Sequence, residues 1–197
     1  MKPVSSLGPR TLTGKFIALE PLEERHHTEL LRAASDPDIW RYIPVDPKKG
    51  FSARLPWLAS EMAKGAMITF VVRQLADDAV VGSTSYLNIA PQDAKVEIGF
   101  TWYVAEAQGG AVNPEAKYLL LANAFAASYN RVEFKTDAKN ARSRAALLKL
   151  GAKEEGTLRG HMWMPQGYFR DSVYFSILAG EWPGVKARLE ERLAAFC

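Results

Sequence analysis

A chain of 197 residues makes one domain, or one domain plus a short arm, and is long enough to bury a substantial core. Hydrophobic residues are 48% and charged residues 24%, and a net charge of +3 with a pI near 8.9 makes no case for nucleic acid. The only cysteine is Cys197, which rules out a disulfide framework or a cysteine metal site and reads as an intracellular, cytoplasmic chain.

No apolar run reaches transmembrane length and MKPVSSLGPR lacks a signal-peptide core, so no membrane partner is expected. A thiol at Cys197 is a poor catalyst, because chain ends are seldom held in place. Residues 1–13 read as a flexible arm, 14–182 as the main domain and 183–197 as a C-terminal amphipathic helix packed on it.

FIALEPL, from Phe16, reads as a first strand, and Glu23 to Ala34 as a helix stopped by Ser35-Asp36-Pro37. His26 and His27 are neighbours on it, diverge by about 100°, and read as solvated or partly packed rather than as a metal pair. DPDIWRYIPVDPKKG follows, a loop in which Trp40 and Tyr42 either pin the chain or wall a substrate site. Phe51 to Lys64 reads as a second helix that Pro56 kinks or splits.

Met67–Leu75 and Val80–Ile89 read as a hairpin across Ala76–Ala79, and Val96–Val104 continues the meander. Gln108, Gly109, Gly110 and Ala111 then lead into a buried helix, with Asn113 as N-cap and Pro114 at the first helical position. A strand, a glycine turn and a helix N-terminus together suit an anion, because free N–H groups point outward there. Neither a P-loop nor a dinucleotide-binding glycine pattern is present.

RVEFKTD, from Arg131, alternates with Val132, Phe134 and Thr136 on one face. Asn140–Leu150 reads as a capped helix closed by Gly151, and two strands meet at Pro165-Gln166-Gly167. VKARLEERLAAF closes the chain as an amphipathic helix. The sum is an α/β (α+β) fold: a mixed, mostly antiparallel sheet with helices on both faces.

The stretch VEIGFTWYVAEAQGGAVNPEAKYLLL resembles motif A of the GNAT acetyltransferases, and specifically the RimJ/RimL-like branch. Gln108 takes the first position of R/Q-x-x-G-x-G/A, Ala111 replaces the middle glycine and Asn113 the last small residue. Glu97 to Gly109 is one residue longer than in the commoner form, which suggests a β-bulge among Phe100–Tyr103. The resemblance implies acetyl-CoA as donor, without a metal, and a primary amine as acceptor, either a peptide N-terminus or a small amine. It allows a homodimer.

By the same resemblance, Gln108, Gly109, Gly110, Ala111, Val112 and Asn113 cradle the pyrophosphate of coenzyme A. Trp102, Tyr103, Val104 and Asn140 meet its pantetheine arm, which enters between Val96–Val104 and Arg131–Asp137. Glu97 is implied as the base, through a water. Leu147 stands where many members carry a tyrosine acid, and Ser143 takes that role, with Tyr174 as reserve. Arg142, Arg144 and Lys149 read as solvating their helix rather than meeting a phosphate, and His161 as structural. Two rivals stay open: a small-amine or amino-acid acetyltransferase, and a module that senses acetyl-CoA without turnover.

Overall fold

The computed structural model describes residues 3–196, so Cys197 lies outside the described residues. The strands are β1 (Leu12–Thr13), β2 (Ile17–Pro21), β3 (Ile68–Gln74), β4 (Val80–Ala90), β5 (Lys95–Tyr103), β6 (Arg131–Asp137), β7 (Lys153–Met164) and β8 (Tyr168–Leu178). The helices are α1 (His27–Ala33), α2 (Leu55–Ala63), α3 (Val112–Ala126), α4 (Ala141–Leu150) and α5 (Trp182–Ala194). The eight strands form one sheet in the order β1-β2-β3-β4-β5-β6-β8-β7. Every pairing is antiparallel except β5 with β6.

Each face of the sheet has its own core. One holds Val96, Ile98, Phe134 and Phe175 against Ala116 and Leu120 of α3, Leu147 and Leu150 of α4, and Val185 and Leu189 of α5. The other packs Val71 and Trp102 against Leu30 of α1, Leu58 of α2, and Trp40 and Phe51 between those helices. Because α3 has the sheet on one side and α5 on another, its near-continuous apolar sequence is buried.

Two expectations change. Residues 3–13 are laid on the domain rather than loose: Ser5 N donates to Ala127 O at 2.9 Å, Leu7 is buried and β1 pairs with β2. The helix α3 starts at Val112, so Ala111 is its N-cap and Asn113 lies inside the first turn. Pro114 is tolerated there because a first-turn N–H has no intrahelical acceptor to lose. The expected split near Pro56 is present: a 3-10 turn at Phe51–Arg54 is followed by α2, with Pro56 again in a first turn.

Candidate functional site

β5 and β6 pair only at Lys95–Arg131, Val96–Val132 and Glu97–Glu133. Both strands then run on, β5 to Tyr103 and β6 to Asp137, without a ladder between them. The sheet is therefore open as a wedge, with free main-chain groups along the facing edges.

On its other side β5 carries the expected bulge. Ser83 pairs with Trp102 and Ser85 with Gly99, so Phe100 and Thr101 together oppose Thr84. Phe100 has φ +48°, a left-handed conformation that a bulky L-residue rarely holds. One extra residue reverses the faces that follow it. Val96 and Ile98 point to the α3 side, whereas Phe100 and Trp102 join the core under α1 and α2.

The wedge opens beside the turn that precedes α3. Gly109 has φ +82°, and side chains at Gly109 or Gly110 would meet no protein atom within 4 Å, so this main chain is bare. Gln108 ties the turn down on two sides: its Nε2 donates to Tyr103 O at 3.0 Å, and its Oε1 accepts from Arg142 Nη1 of α4. Arg142, expected only to solvate its helix, thus stands beside the glycine turn. At the end of β5, Trp102 Nε1 and Tyr103 OH are buried without a hydrogen-bond partner among the described residues. A bare glycine turn, a helix N-terminus, a cation and open strand edges fit the pyrophosphate and amide-rich arm of a coenzyme A thioester.

Glu97 faces the α1/α2 side at the apex of the wedge and is 2% exposed. Its Oε2 accepts from Asn88 Nδ2 at 2.8 Å and lies 3.6 Å from Lys135 Nζ. Lys135 in turn stands 5.7 Å from the centroid of Tyr174, whose hydroxyl is held above the usual tyrosine range by burial and then by the charges of Glu97 and Glu133. His161 packs edge-on to Tyr174 and shares the Ser172 hydroxyl with the buried Arg170. Burial, then Lys135 and Arg170, push the His161 imidazole below its ordinary value. Glu97 is thus set in a polar cluster built from β4, β5, β6, β7 and β8.

The remaining expected residues are placed less centrally. Asn140 caps α4, its Oδ1 accepting from Ser143 N at 3.0 Å, and Ser143 is half-buried in the first turn. Leu147 is in the core. Trp40 is buried: it stacks on Phe51 at 5.2 Å and its indole N–H donates to Ala34 O, which leaves no open ring face for an acceptor. Tyr42 keeps part of its surface. Gln166 Nε2 holds this loop by donating to Trp40 O at 2.6 Å and Ile43 O at 2.9 Å. Sequence reasoning missed Asn88, Lys135 and Arg170. For Lys135 the signal was present, since the alternation that sends Phe134 inward sends Lys135 to the face of Glu97.

A parallel pair splayed around an open wedge, with a glycine turn and helix at its mouth, sets this α/β domain apart. Residues 17–153 match the family model described as "Acetyltransferase (GNAT) domain", and the chain belongs to that family. It is 34% identical over 113 residues to the Bacillus subtilis (strain 168) protein named "Putative ribosomal N-acetyltransferase YdaF", covering 57% of this chain and 61% of that relative's length. The fold is similar to that of a GCN5-related N-acetyltransferase from Brucella melitensis, with TM-score 0.87 and 27% identity over 94% of this chain and 86% of that one. Mycobacterium smegmatis RimJ, in complex with CoA-disulfide, shares the fold at TM-score 0.81 and 24% identity over 96% and 97%.

Proposed function

We propose that this protein is an N-acetyltransferase that binds acetyl-CoA in the β5/β6 wedge and transfers its acetyl group to a primary amine. The observation that carries this reading is the end of strand pairing at Glu97–Glu133, beside the bare turn at Gly109. Gln108, Gly109, Gly110, Ala111, Val112 and Asn113 hold the pyrophosphate. The open edge of β5 at Trp102, Tyr103 and Val104 meets the amide-bearing arm, with Asn140 across from it. The donor supplies an activated acyl carbon and a thiolate leaving group.

Within that reading each residue has a task. Glu97 takes the proton that the amine loses as it attacks, through a water, and main-chain N–H groups freed by the bulge stabilise the oxyanion. Ser143 hydrogen-bonds the departing sulfur, with Tyr174 as the reserve. The acceptor is a peptide or protein N-terminal α-amine. An α-amine has a pKa of about 7.7–8.0 against about 10.4 for lysine, so it asks less of a base that works through water. The word ribosomal in the name of YdaF supports a protein acceptor.

Two features support the second reading, an acetyl-CoA-binding module without turnover: Ala111 in the turn, and Leu147 buried where an acid would stand. Competition between an N-terminal peptide library and a small-amine library, scored by kcat/KM, separates these readings. The expected result is preference for peptide α-amines. Acetylation confined to small amines overturns the acceptor assignment, and no transfer to either library supports the module.

A further inference from the structure

Lys117 is a buried lysine in an otherwise apolar turn of α3 and is 8% exposed. Its Nζ donates to Thr101 Oγ1, in the bulge of β5, at 3.0 Å and lies 6.0 Å from the ring centroid of Phe134 on β6. Those two contacts place the ammonium between β5 and β6 on the α3 side, past the last pair that joins them. The groups facing it are neutral: Thr101 from β5, Thr84 behind it at 2.7 Å from Thr101, and Phe134 from β6. No carboxylate among the described residues pairs with it, and burial alone lowers its pKa to about 7.

A buried ammonium without a counter-ion opposes folding, and a leucine or methionine would fill the same turn without that cost. The charge is useful only if negative charge arrives in the wedge. We infer that Lys117 is a catalytic residue whose ammonium stabilises, and then protonates, the thiolate released from the acyl donor. This rests on the donor occupying the wedge as proposed above.

In the step, the amine lone pair forms the C–N bond, the C–S pair leaves with sulfur, and the amine's proton goes to Glu97. The thiolate takes a proton from Lys117 Nζ, and the neutral lysine regains one from solvent. The two groups titrate as a pair: the ammonium lowers the thiol from its ordinary value of about 8.5, the thiolate raises a lysine that burial alone holds at about 7, and the proton passes between acids of similar strength. A serine hydroxyl is a far weaker acid than a thiol. Ser143 therefore orients the sulfur and Lys117 supplies the charge.

The test uses coenzyme A itself, with the thiolate absorbance of the bound coenzyme followed against pH in the wild type and in Lys117→Met. The bound thiol is expected to ionise at least about one pH unit below the free thiol in the wild type, a tenfold effect, and to lose that shift in Lys117→Met. Coenzyme A affinity should change by less than about threefold, which is well under 1.4 kcal/mol.

Stability gives an independent reading. The folded pKa of Lys117 lies below its unfolded value, so its penalty is full below about pH 7 and fades as the pH rises toward the unfolded value. Lys117→Met should therefore melt higher than wild type, with the largest gain below pH 7. A residue that merely held the fold would show the opposite. An unshifted thiol in bound wild type, or the same shift in the variant, overturns the inference alone. Failure of wild type to bind coenzyme A overturns it together with the wedge reading.

Discussion

Glu97→Gln is expected to lower kcat by about 10²–10⁴-fold, the usual contribution of a positioned general base, with acetyl-CoA affinity close to that of the wild type. The amide keeps the size of the carboxylate and an oxygen that still accepts from Asn88 Nδ2, so the local packing survives. What it loses is basicity and the charge that faces Lys135 at 3.6 Å. Lys135 is partly exposed, and water can solvate it in the variant. The loss should be larger for a lysine-like acceptor than for an α-amine, because the higher pKa, about 10.4 against about 7.7–8.0, leaves less neutral amine to attack. Steady-state thiol release across pH checks this. Full kcat at neutral pH with a lysine-like acceptor would leave Glu97 only as the structural partner of Lys135.

Glu115→Ala is the largest expected effect on stability. The Glu115 carboxylate is buried in the first turn of α3 and accepts from three main-chain donors, Lys15 N at 2.6 Å, Phe16 N at 2.7 Å and Ile17 N at 2.8 Å. Gly14 leaves the room this needs, since a Cβ there would sit 2.3 Å from Glu115 Cδ. The carboxylate thus clamps the β1–β2 turn to the helix that forms the mouth of the wedge. Alanine leaves those donors without their acceptor, at about 1–3 kcal/mol each where water cannot replace it. A loss on the order of 3–5 kcal/mol is expected, a large share of the roughly 5–15 kcal/mol that holds a typical domain together. Urea unfolding measures it directly. A loss below about 1 kcal/mol would mean that the turn finds other partners.

The order of strands and helices was readable because alternation, proline and glycine are local signals, and the fold is largely their sum. The bulge was readable too, since one residue too many between Glu97 and Gly109 has to be absorbed somewhere, and the strand absorbs it at Phe100–Thr101. Long-range pairings were not. Asn113-Pro114 looks like a cap, yet α3 begins at Val112, where no side-chain cap marks the start. His26 is buried because Glu20, on the preceding strand, meets its Nε2 at 3.0 Å. Trp40 read either as a pin for its loop or as a wall of a substrate site, and only the fold shows it covered by Phe51 and Trp102. No local signal singles out Lys117, one lysine in a helix that reads as buried. Only the meeting of α3 with the bulge of β5 shows where its ammonium goes.

Titration of acetyl-CoA into the wild type and Gly109→Val by calorimetry tests the central claim most directly. The turn needs φ +82° at Gly109, and a β-branched residue cannot hold that conformation without strain. Its side chain would also project from a main chain that nothing else covers, toward the place assigned to the pyrophosphate. The expected result is binding by the wild type and affinity weakened more than about tenfold, or about 1.4 kcal/mol, in the folded variant. No binding by the wild type, or equal affinity in both proteins, would contradict it.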